Sequence, residues 1–447
     1  MSTFFIIALR NLIQAKRRTL FLSLALFMIS LLLVLLMALS AGVSQTMLRS
    51  ATILVAGHVN VGGFYKPKVD VGYPIVTQVS KVKKIILDNV EGLDYIVDRG
   101  RGWGKLISAS GSFNTGITGV DVTTEKKLTE QLRLAPQSDY KEGGENRILG
   151  NILDLAQPNS VLIYHGQAKR LEVDVGDTLT LTSETVTGAV NTLDVNVVAI
   201  AKDVGFFSNW NIFAEKSVVK QLYQLGDDIS GVIQIHLKDP DQSALVMEKL
   251  RATFLQHNYE LMDFQAEPFW KKFELIGAED WVNQKLDLTL WEDEISYMKW
   301  ALNALDGLSY FLISILLVII VIGIINTMWM SVRERTQEIG SLRAIGMQSS
   351  QVLGLFMLEA LLLGFIATSL GSLFGATLAL GINSAEIMLP SDAMRSILMS
   401  DTLTLSVNVS QIAQAIVTFT AVTMIAALWP AFKASRMQPV SAIHHTG

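Results

Sequence analysis

Cysteine is absent from all 447 residues, so an oxidising compartment would find no disulfide to form. Catalytic motifs are missing as well. No G-x-x-x-x-G-K-[ST] occurs, which leaves these residues without a Walker loop to cradle ATP, and neither H-E-x-x-H nor G-x-S-x-G is present. His58, His165, His236 and His257 stand apart without metal-ligand spacing, and His444-His445 is an isolated pair. Strand histidines such as His58 and His236 are most often satisfied surface or core groups. No metal site and no cofactor are expected on this chain, and energy for any work has to be borrowed from another polypeptide.

Charge is missing too, over long stretches. Leu308 to Met330 carries none, and as a helix it would rise roughly 34 Å, more than the ~30 Å hydrocarbon core of a bilayer. Thr19 to Leu48 is likewise uncharged, Val352 to Ile382 holds one acid, Glu359, and Ile412 to Trp429 holds none. Four transmembrane helices follow. The first is too long for a signal-peptide core of about 7 to 15 residues and reads as a retained helix. Tyr297 to Leu308, with Met298, Leu302, Leu305 and Leu308 at helical spacing, should continue the second span as a stalk. In the third span Ala367, Gly371 and Gly375 repeat every fourth residue, the small-residue spacing of closely packed membrane helices. Trp300, Trp329 and Trp429 sit near span ends as interfacial anchors.

The charges that exist are sorted by side. Arg10, Lys16, Arg17 and Arg18 precede the first span, Arg333, Arg335 and Arg343 lie between the second and third, and Lys433 and Arg436 follow the fourth. Only Glu334 and Glu338 oppose them. These segments are expected to be cytoplasmic, with both termini inside. Residues 51–306 carry 25 basic and 35 acidic side chains and fall on the other side. So acidic a domain is no nucleic-acid binder.

That region is large enough for its own core. Residues 57–64 read as a strand, 79–87 as a helix with Val79, Val82, Ile85 and Ile86 inward, and 94–97, 105–108 and 116–120 as strands. Strand, helix and strand recur at 230–237, 242–254 and 259–264. These two blocks are expected to pair into one α+β layer, split by a mainly β insertion at 126–227. Inside it, 160–164, 178–183 and 194–200 read as strands, 166–171 as a short helix, and 138–147 as a mobile loop.

Between the second and third spans lies a short charged helix, Arg333 to Ile345, ended by Gly346, which suits a terminus needing positive φ. Alone, it also fits an ordinary positive-inside loop. The wider pattern is more specific. Asn326-Thr327-Met328, Glu334-Arg335-Thr336, Glu338-Ile339-Gly340 and Leu342-Arg343-Ala344-Ile345-Gly346 resemble the signature of the MacB, FtsX and LolC/LolE superfamily of ABC-transporter permeases. Ala8, Arg10-Asn11-Leu12 and Arg18-Thr19 resemble its amphipathic elbow, and Trp429-Pro430-Ala431, Ala434-Ser435-Arg436, Pro439-Val440 and Ala442-Ile443 its carboxy-terminal motif.

The resemblance implies four transmembrane helices plus a large extracytoplasmic α+β domain, a split porter-like layer with the inserted β subdomain, in a bacterial inner membrane. Its parts would be an elbow at 1–18, spans at 19–48, 297–330 with the stalk, 352–382 and 412–430, and the layer at 51–125 and 228–296. A coupling helix at 333–346, an outer loop at 383–411 and a tail at 431–447 complete it. The coupling helix would dock in a cleft of a separate cytoplasmic ATPase, which binds ATP and Mg, through Glu334, Arg335, Glu338 and Arg343, with Ile339, Leu342 and Ile345 packing on the membrane side or in that cleft and Gly346 ending it. Two ATPase subunits and a second or sister permease are the implied partners.

Gly119-Val120-Asp121 and Leu162 through Val175-Gly176-Asp177 resemble lipoprotein-releasing permeases, whereas Glu334-Arg335-Thr336 and Asn326-Thr327-Met328 look closer to MacB-like exporters. Lipoprotein or lipid-anchored cargo is the leading expectation, its acyl chains entering a cleft near Leu36, Met37, Leu312 and Ile315, with a periplasmic carrier beyond. The rivals are a MacB-like exporter with a periplasmic adaptor and an FtsX-like regulator that transports nothing. Glu359 is expected to pair with Arg10 or Arg17.

Overall fold

Long charge-free runs become long helices. In the computed structural model, which describes residues 2–14, 16–69, 71–390, 394–395, 400 and 402–437, four helices are long and apolar enough to cross a membrane. Helix α1 (Ser2–Gln14) precedes the first of them, α2 (Lys16–Leu54). The chain then enters β1 (Val59–Lys68), short strands β2 (Val71–Tyr73) and β3 (Val76–Thr77), and α3 (Val79–Asn89). There follow β4 (Leu93–Ile107), β5 (Ser112–Val120), α4 (Lys126–Gln131), β6 (Ser160–Tyr164) and α5 (His165–Leu171). Next come β7 (Thr178–Glu184), β8 (Val190–Ala201), β9 (Asn211–Glu215), α6 (Lys216–Tyr223), β10 (Ile229–Ser230) and β11 (Val232–Leu237). Helices α7 (Ser243–Gln256) and α8 (Phe273–Ala278), strand β12 (Asn283–Leu290) and the single turn α9 (Trp291–Glu294) lead into the second long helix, α10 (Ser296–Glu334). Helices α11 (Thr336–Ala344), α12 (Ser349–Ser384) and α13 (Val409–Ser435) follow.

The chain divides into two units, one of Met1–Gln45, Leu302–Met388 and Thr402–Gly447, the other of Thr46–Ala301 and Leu389–Asp401. The first is a helix bundle. Its core joins Leu26, Leu33 and Val34 of α2, Ile320, Ile324 and Met328 of α10, Phe356 and Ala367 of α12, and Phe419 and Ala427 of α13. The small-residue spacing in α12 packs as expected. A Cβ on Gly371 would fall 2.4 Å from the Phe27 carbonyl oxygen, and one on Gly375 3.0 Å from that of Leu31. Beside them Ser30 Oγ donates to the Thr368 carbonyl at 3.0 Å and lies 2.8 Å from Ser372 Oγ, so the buried hydroxyls of Ser30 and Ser372 are satisfied across the contact.

The second unit is α+β. Strands β12, β1, β11 and the first half of β4 form an antiparallel sheet. Helices α3 and α7 cover it, burying Val79, Val82, Ile85, Ile86, Leu250 and Phe254 against Val59, Val61, Ile233, Ile235 and Leu288. From Gly100 onward β4 pairs with β5 instead. Strand pairs β5–β9, β9–β6, β6–β8, β8–β7 and β7–β4 then close a six-stranded ring. Leu106, Ile117, Val161, Ile163, Leu179, Leu181, Val195, Val197 and Ile212 fill it, with Val218, Val219 and Leu222 of α6 joining the same core. Glycine is needed where β4 changes sheets, because a Cβ on Gly102 would lie 2.6 Å from the Tyr223 ring.

Several elements differ from the sequence reading. Segments 94–97 and 105–108 belong to one strand, β4, and the ring takes in β5 and the end of β4, ahead of residue 126. Residues 259–264 make only an isolated bridge, Leu261 to Leu286, whereas β12, β9 and α6 arise where none was expected. Loop 138–147 is tied down at its base, where Gln137, Tyr140 and Lys141 all donate to the Asp174 carboxylate.

Candidate functional site

Helix α10 cannot continue past Glu334, because Arg335 leaves helical geometry at φ −108°. The chain restarts as α11 and stops at Gly346, whose φ of +107° only glycine adopts without strain. Met347 N then donates to the Leu342 carbonyl at 3.0 Å, closing the helix end. One side of α11 is sunk into the bundle. Ile339 is 4% exposed and packs in the same core as Val332, Val352, Phe356 and Ala434. The other side is open, with Glu338 and Leu342 exposed and Ile345 86% exposed.

Two arginines fix α11 in place. Arg335 Nη1 reaches Glu359 Oε1 and Oε2 at 2.9 and 3.1 Å, and its Nε donates to Glu338 Oε2 at 3.0 Å. Its guanidinium also lies 5.8 Å from the centre of the Phe356 ring. Glu359, 5% exposed within α12, takes a further hydrogen bond of 2.6 Å from Asn11 Nδ2 of α1. The expected Arg10 pairing is therefore replaced by Arg335, because the helix break brings that guanidinium directly over α12; the side chain of Arg17 lies outside the described residues. Arg343 donates to Ser349 Oγ at the start of α12 and to the Ser435 carbonyl at the end of α13. Its charge is thus engaged inside the helix bundle.

The same end of the bundle is braced by aromatics. Trp329 of α10 meets Trp429 of α13 edge-on at 5.5 Å, and Lys433 Nζ lies 5.0 Å from the Trp329 ring centre. In α1, Ala8 is fully buried against Leu355 and Leu362 of α12, so the expected elbow is seated on that helix. Asn11 was missed as a functional residue, although it falls on the same stripe as Ala8 and Leu12 and is the one polar group there. The tail motif at 439–443 lies outside the described residues.

The four proposed cargo positions differ in their surroundings. Met37 lines a small hollow with Val34, Ala38, Val407 and Ile412, whereas Leu312 and Ile315 stand 38% and 41% exposed on α10 and Leu36 is half-buried. Among the described residues no group of three or more His, Cys, Asp or Glu side chains could hold a metal ion.

Residues 310–439 match the family model described as FtsX-like permease C-terminal. This stretch contains α11, both arginines and Glu359. Over 122 residues, 27% of the chain, the sequence is 34% identical to the pyoverdine export ATP-binding/permease protein PvdT of Pseudomonas savastanoi pv. phaseolicola, covering 16% of that relative. It is 32% identical over 122 residues to the macrolide export ATP-binding/permease protein MacB of Nitrobacter winogradskyi, again 27% of this chain and 17% of the relative. The chain thus spans about a sixth of the length of these curated relatives. Among solved structures, the periplasmic region of MacB from Actinobacillus actinomycetemcomitans is similar at a TM-score of 0.30 and 15% identity, over 56% of this chain and 98% of that one. A score so low adds nothing to the fold described above.

Proposed function

We propose that this chain is a permease of the MacB/FtsX superfamily of ABC transporters, a reading supported by the match of residues 310–439, and that it carries the ATP-driven motion of a separate ATPase to a domain on the far side of the membrane. The single observation behind this reading is the two-sided character of α11. Its inner side is fastened by Ile339, Arg335 and Arg343, and its outer side offers Glu338, Leu342 and Ile345 to a partner. Glu334 belongs to the same docking edge. A helix held rigidly at its root and bare at its surface passes on a push without absorbing it.

In this reading α11 and both termini are cytoplasmic, the α+β unit is extracytoplasmic, and two ATPase subunits bearing ATP and Mg grip two permease chains in a bacterial inner membrane. The cargo is a lipid-anchored molecule, such as a lipoprotein. The bare apolar positions Leu312 and Ile315 support this, since a second copy placed against α10 would close a lipid-accessible cleft over them with Leu36 and Met37. Export by way of a periplasmic adaptor is the second reading, favoured by the export functions for which PvdT and MacB are named.

The test is recovery of an ATPase with the tagged chain from its native membrane. Ile345→Asp and Glu338→Ala should each lower the recovered ATPase activity at least about tenfold, as loss of a central contact does, without shifting the permease's thermal midpoint. Arg343→Ala should shift the midpoint as well, since its partners are internal. Full ATPase recovery with Ile345→Asp would sink the docking assignment. A co-eluting acylated protein or an adaptor would decide between the two cargo readings.

A further inference from the structure

Helix α2 ends at Leu54 and α10 begins at Ser296, and both ends are fastened to one strand. The last four carbonyls of a helix have no partner within it. In α2 the Ala51 carbonyl accepts from Val55 N and Ala56 N, both at 2.9 Å. The Ile53 and Leu54 carbonyls instead accept from Arg99 of β4, from Nη2 at 2.7 Å and Nη1 at 3.1 Å. There the cation also meets the negative end of the helix dipole. Glu125 holds the guanidinium from its other edge, accepting from Nε at 2.9 Å and Nη2 at 2.6 Å. The next carbonyl, Val55, accepts from Gln234 Nε2 of β11 at 3.1 Å.

Two residues further along β4, on the same face by strand alternation, stands Arg101. Its Nη2 lies 3.3 Å from Glu294 Oε1, and Glu294 sits two residues ahead of α10. Thr289 Oγ1 donates to that same carboxylate oxygen at 2.9 Å. The side chains of Arg99, Glu125, Arg101 and Glu294 are only 2%, 4%, 9% and 3% exposed. Stability alone does not explain two such pairs, because well-packed apolar residues usually do as well in their place. A guanidinium fork shared between helix carbonyls and a carboxylate supplies a fixed register, which an apolar contact does not. Beyond these residues β4 enters the six-stranded ring.

We propose that Arg99 and Arg101 are positioning residues that lock the end of α2 and the start of α10 to β4, so that a shift of either helix is delivered along β4 into the ring. This rests on the reading that helix motion is what the chain transmits. The test therefore begins without ATP. In the full chain in lipid nanodiscs, Arg99→Met/Glu125→Gln and Arg101→Met/Glu294→Gln each remove both charges of a pair. The first should speed amide hydrogen exchange about tenfold or more over residues 50–56, a local opening, while β1, β11 and α7 exchange as in the wild type. The second should do the same at residues 291–300.

The cysteine-free chain also accepts a spin-label pair at Arg49→Cys and Val190→Cys, whose distance distribution should broaden about twofold when the Arg99 pair is removed, as local anchoring is lost. Unchanged exchange at both helix ends, or a uniform rise across the whole sheet, overturns the proposal. Should the double variants not fold, Arg99→Lys, which reaches the carbonyls or Glu125 but not both, must show the same local rise or the proposal falls. If the helix ends open as expected but ATPase and ATP move neither label in the wild type, the locking stands and the transmission reading fails.

Discussion

Glu359 is held by two groups far apart in sequence, Asn11 and Arg335, and so joins α1, α12 and the break before α11 in one contact. Removing it would leave a guanidinium only 18% exposed beside an apolar ring. Arg335 keeps its Nε contact to Glu338, so Glu359→Ala should cost about 1.5 to 3 kcal/mol, the order for hydrogen bonds lost from a charged group, and Glu359→Ala/Arg335→Met should recover most of it; thermal shift in one detergent measures both. An acid inside a span announces itself in a sequence, but its partner does not. Basic residues before the first span are the expected partners, and only the backbone break at Arg335 turns a different guanidinium inward. His236 supports a second prediction at this scale. It is 3% exposed and stacked on Tyr95 with ring centres 4.0 Å apart. Burial first, then the positive charges of Arg99, His58 and Lys127, hold its pKa well below the ordinary 6.5. As pH falls the unfolded chain takes up this proton before the folded one does. The stabilisation is therefore complete above pH 6.5 and is lost progressively as the pH drops below it. A melting midpoint that declines between about pH 7 and 5 in the wild type should decline less in His236→Phe.

Among the elements, the four spans and α3 were legible because their signals are local, an unbroken apolar run or four apolar residues on one helical stripe. The packing of α12 was legible for the same reason, and it is testable. Gly371→Val would drive a side chain into the Phe27 carbonyl, and a cost of about 1 to 3 kcal/mol is expected from overpacking, read as a lower unfolding temperature in detergent. Strand β12 was legible but passed over, since Leu286, Leu288 and Leu290 alternate with Lys285, Asp287 and Thr289 as a strand should. Asp287 is buried only by virtue of Lys272, whose Nζ contacts both carboxylate oxygens at 2.8 Å, and no local window contains that pair's geometry. Residues 259–264 show the converse, an apolar stretch that finds no ladder. In the candidate site the stop at Gly346 followed from residue type alone, whereas residue type did not separate the buried Ile339 from the exposed Leu342 and Ile345. The internal use of Arg343 depends on Ser435, 92 residues away, and could not follow from it either.

At the scale of the molecule, the α+β unit has its own cores and should fold by itself. A soluble fragment of residues 46–295 keeps the carbonyls that satisfy Arg99, and one of residues 57–295 loses them. The longer fragment should be more stable to urea by about 2 kcal/mol, the order expected for hydrogen bonds to a buried charge; equal midpoints would show that water replaces the helix end without loss. The ring of β4, β5, β9, β6, β8 and β7 gives this unit another property. Each strand has a neighbour on both flanks over at least part of its length, so the ring leaves only partial open edge, as at residues 190–195 of β8, which pair with β7 alone. Where many copies crowd side by side, so little open edge offers few strands for another copy to extend, which lowers the tendency to fibril growth.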